Sequence, residues 1–185
     1  RPNIRDFTAL GVFNIQNMAN GVMWPLLLAI AVFQEDTYAK LGGLFAVSMA
    51  VSMFSARMFG RFIDSNRGLA LLRYGTVMGT VLAGLKAITN APAGALAVST
   101  LGEPAILAYR MPLTKGLYDK AGDVEKDRIV YVVSYEIAVA IAKALFCFAA
   151  YALVVAYGPV NGLRLTFGLV ALMSPLMLLQ KFPAL

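Results

Sequence analysis

The sequence has 185 residues, of which 59% are hydrophobic and 14% are charged, and its net charge is +6. An ordinary soluble domain carries about 45–50% apolar residues, so a soluble chain of this length could not bury so much apolar surface. The basic residues are scattered between apolar runs instead of being gathered on a polar domain. This pattern excludes a nucleic-acid-binding domain and is typical of the loops of a membrane protein.

The content of cysteine and histidine excludes several kinds of site. Cys147 is the single cysteine, and the sequence contains no histidine. A disulfide within the chain is therefore impossible, and zinc or iron sites built on His and Cys are excluded. The sequence also shows neither a phosphate-binding loop nor a serine paired with a base. We expect no metal, no cofactor and no enzymatic activity.

Six apolar stretches are long enough to cross a bilayer as helices, which takes about 20 residues each. The six predicted spans cover residues 7–33, 41–63, 69–88, 92–112, 129–157 and 163–179. We therefore predict an all-α integral membrane protein in which residues 1–185 form a single six-helix domain. We predict that this domain is embedded in the lipid bilayer. The longest connection, residues 114–128, alternates acidic and basic residues, and we expect a short amphipathic or solvated segment on the cytoplasmic surface.

The first predicted span has a polar face. At 100° per residue, the members of this face fall within an arc of about 160°. They are Asn14, Gln16, Asn17, Asn20 and Trp24. Carboxamides that face lipid are costly, so this polar arc must point to protein or to water. Two interpretations stay open: a face that contacts substrate, or interhelical hydrogen bonds that hold the bundle together. The Pro that follows the arc, Pro25, is expected to kink the helix.

A short motif connects the second and third predicted spans. It consists of Gly60, Arg61, Asp64, Arg67 and Gly68. The motif resembles the signature between the second and third helices of a major facilitator superfamily half: glycine, three residues, aspartate, then basic residues and glycine. In this arrangement Gly60 would allow two helices to approach closely. Asp64 would lie at the membrane surface and bond an arginine or the N-terminus of a neighbouring helix.

The resemblance implies a function and a partner. Members of this superfamily move small solutes by alternating access between two six-helix halves, each with a three-plus-three inverted repeat. This chain would then be one half, and it would pair with a second copy or with the missing portion of a longer protein. The substrate would be a small molecule that the sequence does not identify. The alternative is a non-transporting membrane scaffold or complex subunit that keeps the fold. A polar arc that opens on a water-filled cavity would favour transport.

The third predicted span carries a small-residue pair and a lysine. Gly75 and Gly79 are spaced for close helix packing. Lys86 lies near the end of the span, where a lysine can extend its ammonium group to the membrane surface. We therefore expect no functional role for Lys86.

Four further charges lie inside the fourth and fifth predicted spans. Glu103 and Arg110 are seven positions apart on one face of the fourth, and Glu136 and Lys143 are seven apart on one face of the fifth. In an antiparallel hairpin, the residue numbers of two residues at equal depth have a constant sum. This sum is the same for Arg110 with Glu136 as for Glu103 with Lys143. The pattern predicts ion pairs between Arg110 and Glu136 and between Glu103 and Lys143. A structural role and a role in gating or proton relay both stay open.

The distribution of basic residues predicts the orientation. Twelve Lys and Arg residues lie at the termini or near the second and fourth connections, whereas two lie near the other connections. Connections rich in Lys and Arg stay in the cytoplasm. We therefore predict an inner-membrane or plasma-membrane protein with both termini in the cytoplasm.

Overall fold

The computed structural model describes residues 4–64, 68–123 and 128–180, with the backbone alone at residues 64, 123 and 128. Its elements follow one another with short connections. They are α1 (Ile4–Met18), a π-helical segment (Ala19–Met23), α2 (Trp24–Ala31), α3 (Thr37–Asp64), α4 (Gly68–Ile88), α5 (Pro92–Asp123), α6 (Arg128–Tyr157), α7 (Pro159–Met173) and a 3₁₀ segment (Ser174–Leu179). The described residues form no β-strand, which confirms the all-α prediction for this part of the chain.

Within the described residues, four stretches are long and apolar enough to cross a membrane. They are Thr37–Ile63, Gly68–Ile88, Ile129–Tyr157 and Pro159–Leu179. The chain is thus a multi-pass integral membrane protein. The helices α1 and α5 are more polar. Both are enclosed by other helices: α1 packs against α6 and the 3₁₀ segment, and α5 packs against α3 and α4. A helix that is covered by protein does not need an apolar surface on every side.

Contacts between remote parts of the chain define the two ends of the bundle. Lys120 near the end of α5 forms an ion pair with Asp6 in the first turn of α1. Arg164 in α7 donates a hydrogen bond to Asn90, which lies between α4 and α5. We call these the Asp6 end and the Asn90 end. The two larger of three apolar clusters lie around Trp24 and Phe167 and around Leu10 and Tyr109.

The helices α4 and α5 approach each other closely at Gly75. A Cβ atom on Gly75 would lie 2.6 Å from the backbone nitrogen of Tyr109 and 2.8 Å from Ala108. At Gly79 it would lie 3.0 Å from the Gln16 side chain. Close packing at these two glycines is therefore confirmed.

The helix that contains the fourth predicted span continues beyond residue 112. The helix α5 contains both Pro104 and Pro112 and continues to Asp123, so much of the predicted surface connection 114–128 is helical. A proline removes one backbone hydrogen bond, and a helix tolerates this loss where neighbouring helices hold it in place. Here Leu113 is buried beyond Pro112, and the ion pair between Lys120 and Asp6 fastens the extension to α1.

The first predicted span is a helix with an irregular turn. A π-helical segment, Ala19–Met23, precedes Pro25 and ends where the N–H of Trp24 bonds the carbonyl of Ala19. Pro25 has no N–H with which to continue the regular α-helical pattern from this turn. The π segment therefore lies directly before the proline that sequence reasoning singled out.

We expect Gly75→Ala to destabilise the protein by about 1–3 kcal/mol, because the added methyl group meets the backbone of α5 and cannot be accommodated by a side-chain rotation. The matched control is Gly84→Ala on the same helix, where nothing lies within 4 Å of the added Cβ. That variant should be neutral or gain up to about 1 kcal/mol from helix propensity. Thermal unfolding in detergent measures both, and equal effects of the two variants would contradict the close contact.

Candidate functional site

The side chain of Lys86 points into the bundle, so the prediction that it extends to the membrane surface is wrong. Lys86 is only 4% exposed although it lies in the last turn of α4. The Cα–Cβ bonds of a helix tilt toward its N-terminus. A lysine at the C-terminal end of a membrane helix is therefore aimed back toward the centre of the helix. In this protein the neighbouring helices enclose it there.

The ammonium group of Lys86 is held by an amide and two aromatic rings. Its Nζ donates a hydrogen bond to Oδ1 of Asn20 at 2.5 Å. It lies 5.0 Å from the centroid of the Trp24 ring and 5.9 Å from that of Phe167, both within the range of cation–π attraction. Asn20 belongs to the π segment, Trp24 to α2 and Phe167 to α7. Lys86 thus joins α4 to three other elements of the bundle.

The aromatic wall of this site is fixed in place. Trp24 and Phe167 meet edge to face, with ring centroids 5.8 Å apart and an interplanar angle of 84°. The indole Nε1 of Trp24 donates a hydrogen bond to Oγ of Ser99 on α5 at 2.9 Å. A buried indole N–H usually finds such a partner. Ser99 was not singled out from the sequence.

Glu103 of α5 supplies the negative charge that acts on Lys86. The carboxylate is half-buried and interacts electrostatically with Lys86 and with Arg110. It makes no ion pair within 4 Å among the described residues. The attraction therefore acts through space, while the direct contact of the ammonium group is the amide of Asn20.

A small cavity of about 10 Å³ adjoins Lys86 and Asn20. Gln16, 3% exposed, also lines it, and its Oε1 has no hydrogen-bond partner among the described residues. A volume of this size is at the lower limit for one water molecule. A water here would accept a hydrogen bond from the ammonium group and donate one to the orphaned oxygen. The arrangement is a polar centre closed to anything larger.

The other members of the polar arc have different surroundings. Asn14 is half-buried and donates hydrogen bonds to the hydroxyl of Tyr135 at 2.9 Å and to the carbonyl of Leu10 at 3.0 Å, which ties α1 to α6. Asn17 is half-buried. The structure thus brings Gln16, Asn20 and Trp24 to the Lys86 site and leaves Asn14 in a separate interhelical contact.

The two predicted ion pairs are not formed. The described residues contain no ion pair within 4 Å between Arg110 and Glu136 or between Glu103 and Lys143. The reason is the packing, because α5 lies mainly against α3 and α4 whereas α6 lies mainly against α7 and α1. Arg110 and Glu136 are exposed, and Lys143 is half-buried.

The motif between α3 and α4 is only partly described. A Cβ atom on Gly60 would meet nothing within 4 Å, so the expected close helix approach at Gly60 is wrong. Arg61 is exposed, and Gly68 is buried at the start of α4. The side chain of Asp64 and the whole of Arg67 lie outside the described residues, and so does the predicted bond of Asp64.

Comparisons with protein-family models, with curated proteins and with solved structures find no match for this chain.

We expect a double-mutant cycle of Asn20→Ala and Lys86→Met to give a coupling energy of about 1.5–3 kcal/mol, the range for a hydrogen bond to a charged group. The matched control replaces Asn20→Ala by Asn17→Ala, which removes the same carboxamide from the same helix. Its coupling with Lys86→Met should stay below about 0.5 kcal/mol. Unfolding in detergent measures both cycles, and equal coupling in the two would contradict a specific bond to Asn20.

Proposed function

We propose that this chain is one six-helix unit of a secondary transporter that moves a small solute by alternating access. The observation that carries the proposal is the ammonium group of Lys86, which is enclosed where α4 meets the π segment, α2 and α7. An ionisable side chain inside a membrane bundle is expensive to retain and commonly marks the path of a substrate or an ion. The resemblance of the motif at Gly60–Gly68 to the major facilitator superfamily points to the same class of protein.

The π segment at this site supports the proposal. Single π-helical turns inside α-helices are often found at functional sites. In this chain the turn carries Asn20, the direct partner of Lys86. The peptide groups of such a turn are bonded less regularly than those of an α-helix, so α1 and α2 can change their mutual angle at Ala19–Met23. A change of that angle would carry Asn20 away from Lys86.

The packing supports a three-plus-three repeat. We take the run from α1 to α2 as the first span and α5 as the fourth, so that the membrane is crossed six times. A three-plus-three repeat matches the first span with the fourth, the second with the fifth and the third with the sixth. The contact between α3 and α5 then corresponds to the contact between α6 and the first span, and the contact between α4 and α5 corresponds to that between the last span and the first. All four contacts are present.

A second six-helix unit, either a second copy or the missing portion of a longer protein, follows from the proposed mechanism. A path between two halves cannot be enclosed by one of them. The polar arc does not by itself require such a partner. Gln16 and Trp24 are already buried within this chain, and Asn20 is bonded to Lys86.

The second candidate function is a membrane scaffold or complex subunit that does not transport. One observation favours it: the polar arc packs against other helices, and the cavity beside it measures only about 10 Å³. A solute could not enter that space without a rearrangement of the bundle. Transport therefore requires a second conformation, and a scaffold does not.

We expect Lys86→Met to lower uptake of the transported solute by about tenfold or more, because a hydrogen bond to a charged group contributes about 1.5–3 kcal/mol. The matched control is Lys40→Met, which removes an exposed lysine at the Asn90 end. The full-length protein in proteoliposomes is offered a panel of labelled sugars, amino acids and small carboxylates. Uptake of none by folded protein, or equal uptake by both variants, would favour the scaffold.

We further propose that the Asp6 end faces the cytoplasm, because the sequence has twelve Lys and Arg residues at its termini and near its second and fourth connections and only two near the others. A single cysteine introduced at Asp119, in a Cys147→Ser background, should react with a membrane-impermeant maleimide only after cells are opened. The control cysteine at Glu35, beyond α2, should react in intact cells. The reverse pattern would overturn the orientation.

A further inference from the structure

The positive charge of Lys86 has no counter-ion in direct contact. Among the described residues no carboxylate lies within 4 Å of its Nζ, and the atom that accepts its hydrogen bond, Oδ1 of Asn20, is neutral. Glu103 attracts the ammonium group through space, and it interacts with Arg110 as well. An uncompensated charge inside an apolar bundle is strongly unfavourable. The site is therefore suited to an anion that comes from outside the chain.

A second polar group belongs to the same place. Gln16 lines the small cavity beside Lys86, and its buried Oε1 has no hydrogen-bond partner among the described residues. A half-turn of the terminal amide exchanges its oxygen and nitrogen and presents N–H donors to the cavity. An ammonium group has three N–H donors, of which Asn20 accepts one. Lys86 and Gln16 together can therefore donate to both oxygens of one carboxylate group.

The aromatic wall decides what kind of anion fits. The rings of Trp24 and Phe167 lie 5.0 and 5.9 Å from the ammonium nitrogen, and the indole N–H is already bonded to Ser99. An inorganic anion such as phosphate or sulfate needs donors around all of its oxygens, and these rings supply none. An organic carboxylate needs donors at two oxygens only. Its apolar part can lie against the rings.

A second cation lies between this site and the Asn90 end. The helix α7 starts at that end, so Arg164 lies nearer to it than Phe167, which follows three positions later. Arg164 is half-buried and donates a hydrogen bond to Asn90, and its buried Nε has no partner among the described residues. The acidic residues that follow α2 at this end are exposed to solvent. A path lined by positive charge raises the local concentration of an anion.

We propose that the transported solute is a small organic anion, and that Lys86 binds its carboxylate group in place of the amide oxygen of Asn20. Gln16 donates the second hydrogen bond, and the apolar part of the solute lies against Trp24 and Phe167. The cavity of about 10 Å³ is the closed state of this site, and the solute enters when the π segment carries Asn20 away from Lys86. This inference rests on the proposed transport function.

The test compares solutes that differ in charge and hardly in shape. Full-length protein in proteoliposomes is offered labelled lactate, succinate and phenyllactate, each beside its neutral amide, with labelled glucose as a further neutral solute. Uptake is measured above that of protein-free vesicles. The wild type should take up at least one carboxylate about tenfold or more faster than its amide, because a hydrogen bond between charged groups contributes about one power of ten or more. Lys86→Arg should keep part of this ratio, Lys86→Met should lose it, and the control Lys40→Met should keep it in full.

A second variant separates solute binding from folding. Asn20→Asp replaces the amide by a carboxylate of the same shape and so gives Lys86 a counter-ion within the chain. We expect this variant to keep or raise the thermal stability in detergent and to lower carboxylate uptake about tenfold or more, because the internal carboxylate competes with the solute. The matched control, Gln34→Glu, adds the same charge at an exposed position of the Asn90 end and should leave uptake unchanged.

The outcomes separate this inference from the function on which it rests. Uptake of an amide or of glucose at least as fast as of every carboxylate would overturn the organic anion and leave transport intact. A folded Asn20→Asp protein with undiminished carboxylate uptake would overturn the binding role of Lys86. Uptake of no solute by folded wild-type protein would remove the transport function, and the inference with it.

Discussion

A buried ammonium group must find its acceptors within the protein, and this requirement organises the centre of the bundle. Lys86 finds an amide oxygen on Asn20 and two ring faces on Trp24 and Phe167. Each partner is supplied by a different element, so the position of α4 depends on the π segment, α2 and α7 together. Loss of any one of these contacts would leave the charge of the ammonium group only partly compensated. An uncompensated charge in an apolar interior is strongly unfavourable.

The rest of the architecture places these groups at a common depth. Gly75 and Gly79 bring α4 against α5 and α1 closely enough for the side chain of Lys86 to reach the polar arc. The extension of α5 beyond Pro112 carries Lys120 to Asp6, which locks the Asp6 end of α5 to α1. At the other end Arg164 and Asn90 join α7 to the connection before α5. The polar centre thus lies between two polar ties, one at each end of the bundle.

The sequence predicted some elements well and others poorly, for reasons that can be stated. The helical character and the close contact at Gly75 follow from local apolar content and small-residue spacing, and both are confirmed. The continuation of α5 beyond Pro112 was not predicted, because Pro112 reads locally as a terminator. Asp6, which pairs with Lys120 in this extension, lies 114 positions from that lysine. The ion pairs of Glu103 and Arg110 with α6 failed because equal depth on consecutive helices does not make those helices neighbours.

The sequence by itself determined that the chain is apolar, helical and suited to a bilayer, and that one face of its first helix is polar. These properties are sums over neighbouring residues, so composition and periodicity contain them. The tertiary structure alone decided which polar groups meet. Asn20 lies 66 positions from Lys86, Trp24 75 from Ser99, and Asn14 121 from Tyr135. Whether a lysine near a helix end reaches water or an enclosed amide depends on the rotation of that helix and on what covers it. Both are set by contacts between residues far apart in the chain.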